Sequence, residues 1–363
     1  GVLLGAGSKV LGNITVGEFV AGAGRVALWA VAGSVNDLAV DTSARDVTAA
    51  KLLIVAAQNV AAGANHLETS VGTLAVQVGG SGGMFISEFD LVAIDSVTVQ
   101  VNRIGTDAAT PGATTDKSLV DLTSTAAGHI VLVAGGTITV NEGGDADGRG
   151  VDGQGAGNIL LHALVGDVVL TGNATGTAAA DIRSATGNIS VLAAAAITLN
   201  TNADIVTSGG SIDLVATAGS ITLADTSLVS TAGANGNVRF ESGASIFLGG
   251  INAGTGSVSL TATVNIRDNG ETYTDVVAGS LRLVAGGGIG TLGSGTDDDI
   301  DITVGTLTAR AGAAGMNLTE TNAITVGTVG VVIHRVAVDG TTADITDLDQ
   351  SDLATSAAGS IVL

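Results

Sequence analysis

No cysteine occurs in the 363 residues, so no disulfide framework holds this chain together, although that alone leaves the compartment open. A single proline removes the Pro-rich linkers expected of a string of separate modules. Aromatic residues make up 2% of the chain, with one Trp and one Tyr, which argues against sandwich cores built around large rings. Basic residues are also scarce: 13 Lys and Arg face 34 Asp and Glu, for a net charge of −21. That sign excludes a nucleic-acid backbone as partner and disfavours an anionic membrane surface. No apolar run reaches the 18 or so residues of a membrane span; Leu52–Ala57 stops at Gln58. The chain opens on Gly1 without an initiator Met or a basic leader, so the ends of the native polypeptide are expected outside this segment.

What is present is glycine (55 residues) and small aliphatic side chains, with 45% hydrophobic residues and a mean hydropathy of +0.52. Such a chain buries enough apolar surface to fold. Its core must be narrow, filled by Val, Ile, Leu and Ala. A short unit recurs: glycine, one polar residue, alternating apolar positions, a turn, then a second alternating stretch. It is seen at Gly157-Asn158-Ile159, Gly187-Asn188-Ile189, Gly210-Ser211-Ile212, Gly236-Asn237-Val238 and Gly256-Ser257-Val258. Period-two runs such as Ile212-Asp213-Leu214 and Ile221-Thr222-Leu223 read as short strands with one buried face. The alanines at 193–196 favour helix by propensity, but they lie between two strand patterns and are read as a turn. Units of 20 to 30 residues with two or three strands are the coils of a parallel β-solenoid. At ~23 residues per coil the chain would make about 16 coils and a rod of roughly 75 Å.

A longer repeat encloses the short one. Val71-Gly72-Thr73-Leu74 returns as Val304-Gly305-Thr306-Leu307, and Ala126–Leu132 returns, with one change in seven, as Ala357–Leu363. Residues 24–132 and 256–363 therefore read as copies of one pattern offset by about 231 positions. We expect a partial copy over 1–132 and a complete copy over 133–363, both continuing one solenoid. The fold class expected is all-β, a right-handed parallel β-helix built of tandem long repeats. Its inward rows are expected to include Ile189, Ile197, Ile212, Leu214, Ile221, Leu223, Val258 and Leu260.

The Gly-Ser-Ile-x-Leu-x-Ala units, and the run Val304–Ala309 leading to Leu318–Thr325, resemble the repeat regions of giant bacterial surface proteins of the filamentous-haemagglutinin type. The likeness covers most of 120–330 and, more loosely, 50–97. It implies an extracellular or cell-surface protein acting as a filament, structural stalk or adhesin. It also implies a secretion domain that this segment does not contain. The partners expected are neighbouring copies of the same protein, end to end or laterally, and surface glycans.

Chemistry is sparse. Gly288–Gly293 fits G-x-G-x-x-G, but no phosphate-binding helix pattern follows; Gly79–Gly83 fits G-x-S-x-G, again without a helix. Both read as turns. The four His residues show no metal-ligand spacing, and His129, replaced by Ser360 in the other copy, reads as an exposed polar site. Trp29 and Tyr273, the candidate sugar platforms, fall in different copies, and Arg103 matches Arg335 across them, which suggests a repeated structural role. No enzyme is expected. Asn13, Asn173, Asn188 and Asn317 open glycan-acceptor triplets. No cofactor is required; calcium is the ligand to consider. Asp145, Asp147 and Asp152 place hard oxygen donors among glycines in Glu142–Gly153, and Asp297-Asp298-Asp299 with Asp301 is a second acidic run.

Overall fold

The computed structural model describes the chain apart from residues 1, 5–11, 40–43, 103, 105, 110–112, 173–178, 271–273, 294–298 and 357, and apart from the side chains of 2–4 and 113–116. Among the described residues there is no helix. Thirty-four strands join in one sheet, and its ladders are parallel throughout; two further pairs form antiparallel hairpins. The protein is a parallel β-helix.

Its construction follows from the short unit. Ile189–Ala193 pairs with Ile212–Ala216, which pairs with Val238–Ser242, which pairs with Ser257–Ala262. The register is constant, so Ile189, Ile212, Val238 and Val258 stack on one another. All eight inward residues named above are 0% exposed. Each contributes on the order of 1.5–3 kcal/mol by leaving water, and a column of similar shapes packs without gaps. The unit-opening glycines stack as well. A Cβ on Gly187 would lie 1.9 Å from the carbonyl oxygen of Gly157, and one on Gly236 would lie 2.1 Å from that of Gly210. No side chain fits at this corner, which accounts for the glycine. The polar residue that follows closes the next rung: Asn158 Oδ1 accepts from Asn188 N at 2.9 Å, and Asn188 Oδ1 accepts from Ser211 N at 2.9 Å.

One column can be followed from Val2–Leu4 through Arg25–Ala30, Val47–Ala56 and Leu67–Val78 to Leu122–Ser124. It continues through Arg149–Gly153, Asp181–Ser184, Ile205–Thr207, Leu228–Ser230, Gly250–Asn252 and Val276–Ala285 to Ile300–Ala311. Twelve strands stacked about 4.8 Å apart span roughly 53 Å. The rod is thus shorter than the 16 coils expected, because two long segments leave the stack as hairpins.

Those hairpins are Val97–Asn102 with Ala113–Leu119, and Val329–Val336 with Thr342–Gln350. They begin 232 positions apart. The 10-residue strands Val47–Ala56 and Val276–Ala285, and the 12-residue strands Leu67–Val78 and Ile300–Ala311, recur in the same way. Arg25–Ala30 lies in the column just traced, whereas Ser257–Ala262, 232 positions later, follows Gly250–Asn252 on the next face. The pattern therefore advances eight rungs and one face, about 40 Å, and the two hairpins lie on different faces.

Candidate functional site

Outward positions on a solenoid face are ordinarily wet. On one face they are not. Phe85, Val131 and Leu160 stack in register, followed by Ser190, Asp213, Arg239 and Ser259. Every one of these is buried, Asp213 to 0% exposure, because the second hairpin lies along them parallel to the rod axis. Val336 joins the core cluster that contains Phe85, Val131 and Leu160.

Along the polar part of this row the hairpin is held by directed bonds. Val336 N donates to Ser190 Oγ and His334 N to Ser211 Oγ, each at 2.9 Å. Asn237 Nδ2 donates to Val332 O at 2.8 Å, and Gln350 Nε2 to Leu283 O at 3.1 Å. At the centre, Asp213 accepts from Arg335 Nε at 2.5 Å and from Arg239 Nη1 at 3.2 Å. Arg239 also reaches Asp347 at 3.1 Å and Glu241 at 2.6 Å. Burial works against the Arg239 charge, but Glu241, Asp213 and Asp347 hold its guanidinium above the ordinary arginine range. Arg335 thus does have a structural partner; Arg103 lies outside the described residues.

The hairpin tip reaches far back. His66 Nε2 donates to Val338 O at 3.0 Å, and Asn158 Nδ2 donates to Gly340 O at 2.9 Å. Gly340, at φ +80°, sits against the His129 ring, where a Cβ would be 2.8 Å away. His129 is therefore half-buried under the tip and not the exposed site its replacement by serine suggested. Burial lowers the pKa of His66 and of His129 below the usual imidazole value. A hairpin rooted at 329–350 thus crosses onto residues 63–129, tying the later coils to the earlier ones.

A second constellation is acidic. Carboxylate oxygens of Asp121, Asp145 and Asp147 lie within 4.8 Å of one another. Asp121 opens Leu122–Ser124 at φ +65°; the other two come from the glycine-rich loop after Ile138–Val140, with Gly143, Gly144, Ala146 and Gly148 all left-handed. Asp121 is 3% exposed and Glu142 8%, yet Asp121 Oδ1 and Glu142 Oε1 have no hydrogen-bond partner. Leaving such an oxygen unpaired costs about 1–3 kcal/mol, and more when it is charged. Burial pushes the Asp121 carboxyl up to about 8, and the charges of Asp145, Asp147, Glu142 and Asp152 add to the rise.

Of the three acids expected from sequence, Asp145 and Asp147 come together. Asp152 does not join them: it accepts from Arg149 at 2.7 Å and Gln154 at 2.9 Å. Asp121 was missed because it stands 24 residues before Asp145, and only the stacking of rungs brings the two side by side. In the other acidic run, Asp297 and Asp298 lie outside the described residues, while Asp301 N donates to Asp275 Oδ2 at 2.8 Å. A third group, Asp37, Asp46 and Glu68, also converges. Burial first, then Asp37 and Glu68, raise the Asp46 carboxyl to about 8.

Trp29 carries Lys117 Nζ 4.7 Å above its ring; Tyr273 and Asn173 are outside the described residues. Asn13, Asn188 and Asn317 each make hydrogen bonds to a neighbouring rung. No family model, curated protein or solved structure matches the chain.

Proposed function

We propose that this chain is a structural repeat segment of a giant extracellular or cell-surface protein, of the filamentous-haemagglutinin style, forming a stiff rod by coil stacking, and that its work is mechanical rather than enzymatic. The observation that carries this reading is the second hairpin, which runs along the axis and ties successive coils together through bonds between residues up to 272 positions apart. Bending or peeling the rod would have to break those bonds along with the rungs. We also read residues 1–132 and 133–363 as a partial and a complete copy of one unit, continuing a single stack.

The partner this predicts is another copy. Such a copy would stack end to end, its strands pairing in register as Ile159–Ala163 pairs with Ile130–Ala134 within this chain. Electron microscopy of the native assembly, and of a fusion carrying one more copy, tests the reading. The expected result is a rod of constant width that lengthens by about 40 Å per copy; separate globular beads would sink it.

A second reading, an adhesin shaft that grips glycans, draws on a groove of about 300 Å³ beside the hairpin, with Asn188, Asn235, Asn237, Ser211 and His334 in its wall. Amide and hydroxyl groups at such a groove suit sugar hydroxyls. Retention on immobilised glycans, lost in Asn235→Ala, would favour the shaft reading over a purely mechanical rod.

A further inference from the structure

We propose that Asp121, Asp145 and Asp147, with the Glu142 carboxylate beside them, bind one hard divalent cation of the calcium class, pinning the 142–148 loop to the rung that begins at Leu122. The inference stands whether or not the rod reading does.

Two independent observations meet here. Three carboxylates from two separate parts of the chain put an oxygen each within 4.8 Å of the others, although like charges repel. At the same place, Asp121 and Glu142 are more than nine-tenths buried and each keeps an oxygen without a hydrogen-bond donor. Glu142 does spend its other oxygen, which accepts from Gly144 N at 2.9 Å and turns the loop back. A surface acidic patch would not draw two carboxylates out of water and then leave them unpaired. A dication answers both features, since it offsets the mutual repulsion and occupies the idle lone pairs.

The donors are all oxygens, which selects hard cations over zinc or copper. Between the two common ones, calcium accepts six to eight oxygens at irregular angles, whereas magnesium demands a near-ideal octahedron. A loop with four left-handed residues and several carboxylates suits the first. The nearby arginine does not compete for the pocket: Arg149 Nη1 is engaged by Asp152 at 2.7 Å. Asp152 itself is thereby withdrawn from the ligand set.

The test is calorimetric titration of the chelator-stripped full chain with calcium chloride, alongside thermal unfolding. The expected result is one site per chain with a Kd between about 10 μM and 1 mM, and a higher Tm with calcium. The exposed pair Asp145→Asn and Asp147→Asn together should raise Kd at least tenfold without lowering the metal-free Tm, which separates loss of binding from loss of fold. Asp121→Asn should abolish binding, whereas Asp46→Asn, in the other acidic group, should leave Kd unchanged. Absence of heat and of a Tm shift at 10 mM calcium would overturn the site, as would undiminished binding in the double variant. Loss of binding in Asp46→Asn would overturn its location, and equal affinity for magnesium would overturn the class assignment.

Discussion

The two hairpins begin 232 positions apart and are docked by different chemistry. The first rests on Ala27, Leu53 and Ala75, all fully buried, with Val97 and Val99 packed against them and Val55, Val101 and Leu119 at the margin. Among the described residues, polar contacts at its rim include Arg25 Nη1 donating to Thr98 O at 2.8 Å and, just before it, Lys51 Nζ donating to Ser96 O at 3.4 Å. At the matching positions the second hairpin meets Ser259, Arg282 and Thr308, and beyond them the buried charges of Asp213 and Arg239. Its own apolar residues, Val329, Val331 and Ile333, cluster instead with Ile345 of the return strand. Apolar burial is non-directional and fixes a ribbon on a face. A carboxylate shared between two guanidiniums fixes where along the face it sits, since any other register strands a buried charge. The first hairpin is thus attached to its face, and the second is attached in register.

The largest effect expected from breaking this contrast is at Asp213. Asp213→Ala leaves Arg239 and Arg335 facing each other without their carboxylate and should cost about 3–5 kcal/mol. Urea unfolding measures the loss, and limited proteolysis should show new cleavage within 329–350 while 97–119 stays intact. Leu53→Ala is the mirror experiment. It removes the apolar floor of the first hairpin at a cost of about 2–4 kcal/mol, with new cleavage confined to 97–119. If both variants open the same hairpin, the distinction fails.

Acidity should separate the hairpins as well. The folded-state pKa of His66 and His129 is depressed by burial, so the stability they contribute is present above about pH 6.5 and lost as the pH falls below it. Hydrogen exchange at 337–341 should quicken below pH 6 in the native chain, and that dependence should weaken in His66→Gln; the first hairpin should show no such change. The rod as a whole should respond the other way. Burial raises Asp46 to about 8 and Glu88 to about 7, so the stability linked to them is full below about pH 4 and declines as the pH rises through those values. Thermal unfolding between pH 5 and 8 checks this, and Glu88→Gln should flatten the upper part of the curve.

The smallest effect expected is that of salt. Glu241 is about half exposed, and the His334–Asp344 pair, at 2.7 Å, is more exposed still. Raising sodium chloride from 50 mM to 500 mM should weaken only such pairs, by less than about 1 kcal/mol, as the screening length shortens. Exchange in the second hairpin should rise slightly, and the first should be unaffected.

Much of this protein was legible in its residues taken in order. Alternation at Ile212-Asp213-Leu214, glycine at the head of each unit and the return of Val71–Leu74 at Val304–Leu307 together specify strands, corners and a repeating stack. Each is a local consequence of chain geometry, in which neighbours decide which side of a strand faces in and where no Cβ fits. What only the tertiary structure decided are matters of contact between distant rungs. Asp213 reads as an outward, solvated residue until the hairpin is laid over it, and His129 likewise. Asp121 becomes a neighbour of Asp145 and Asp147 only when its rung meets the one after it. The strand Val97–Asn102 leaves the stack and pairs antiparallel with Ala113–Leu119, lying across the rungs and not among them. Periodicity reports which face of a strand is covered by the core, but carries no signal of what later folds back over the other face, because that cover comes from chain far away in sequence.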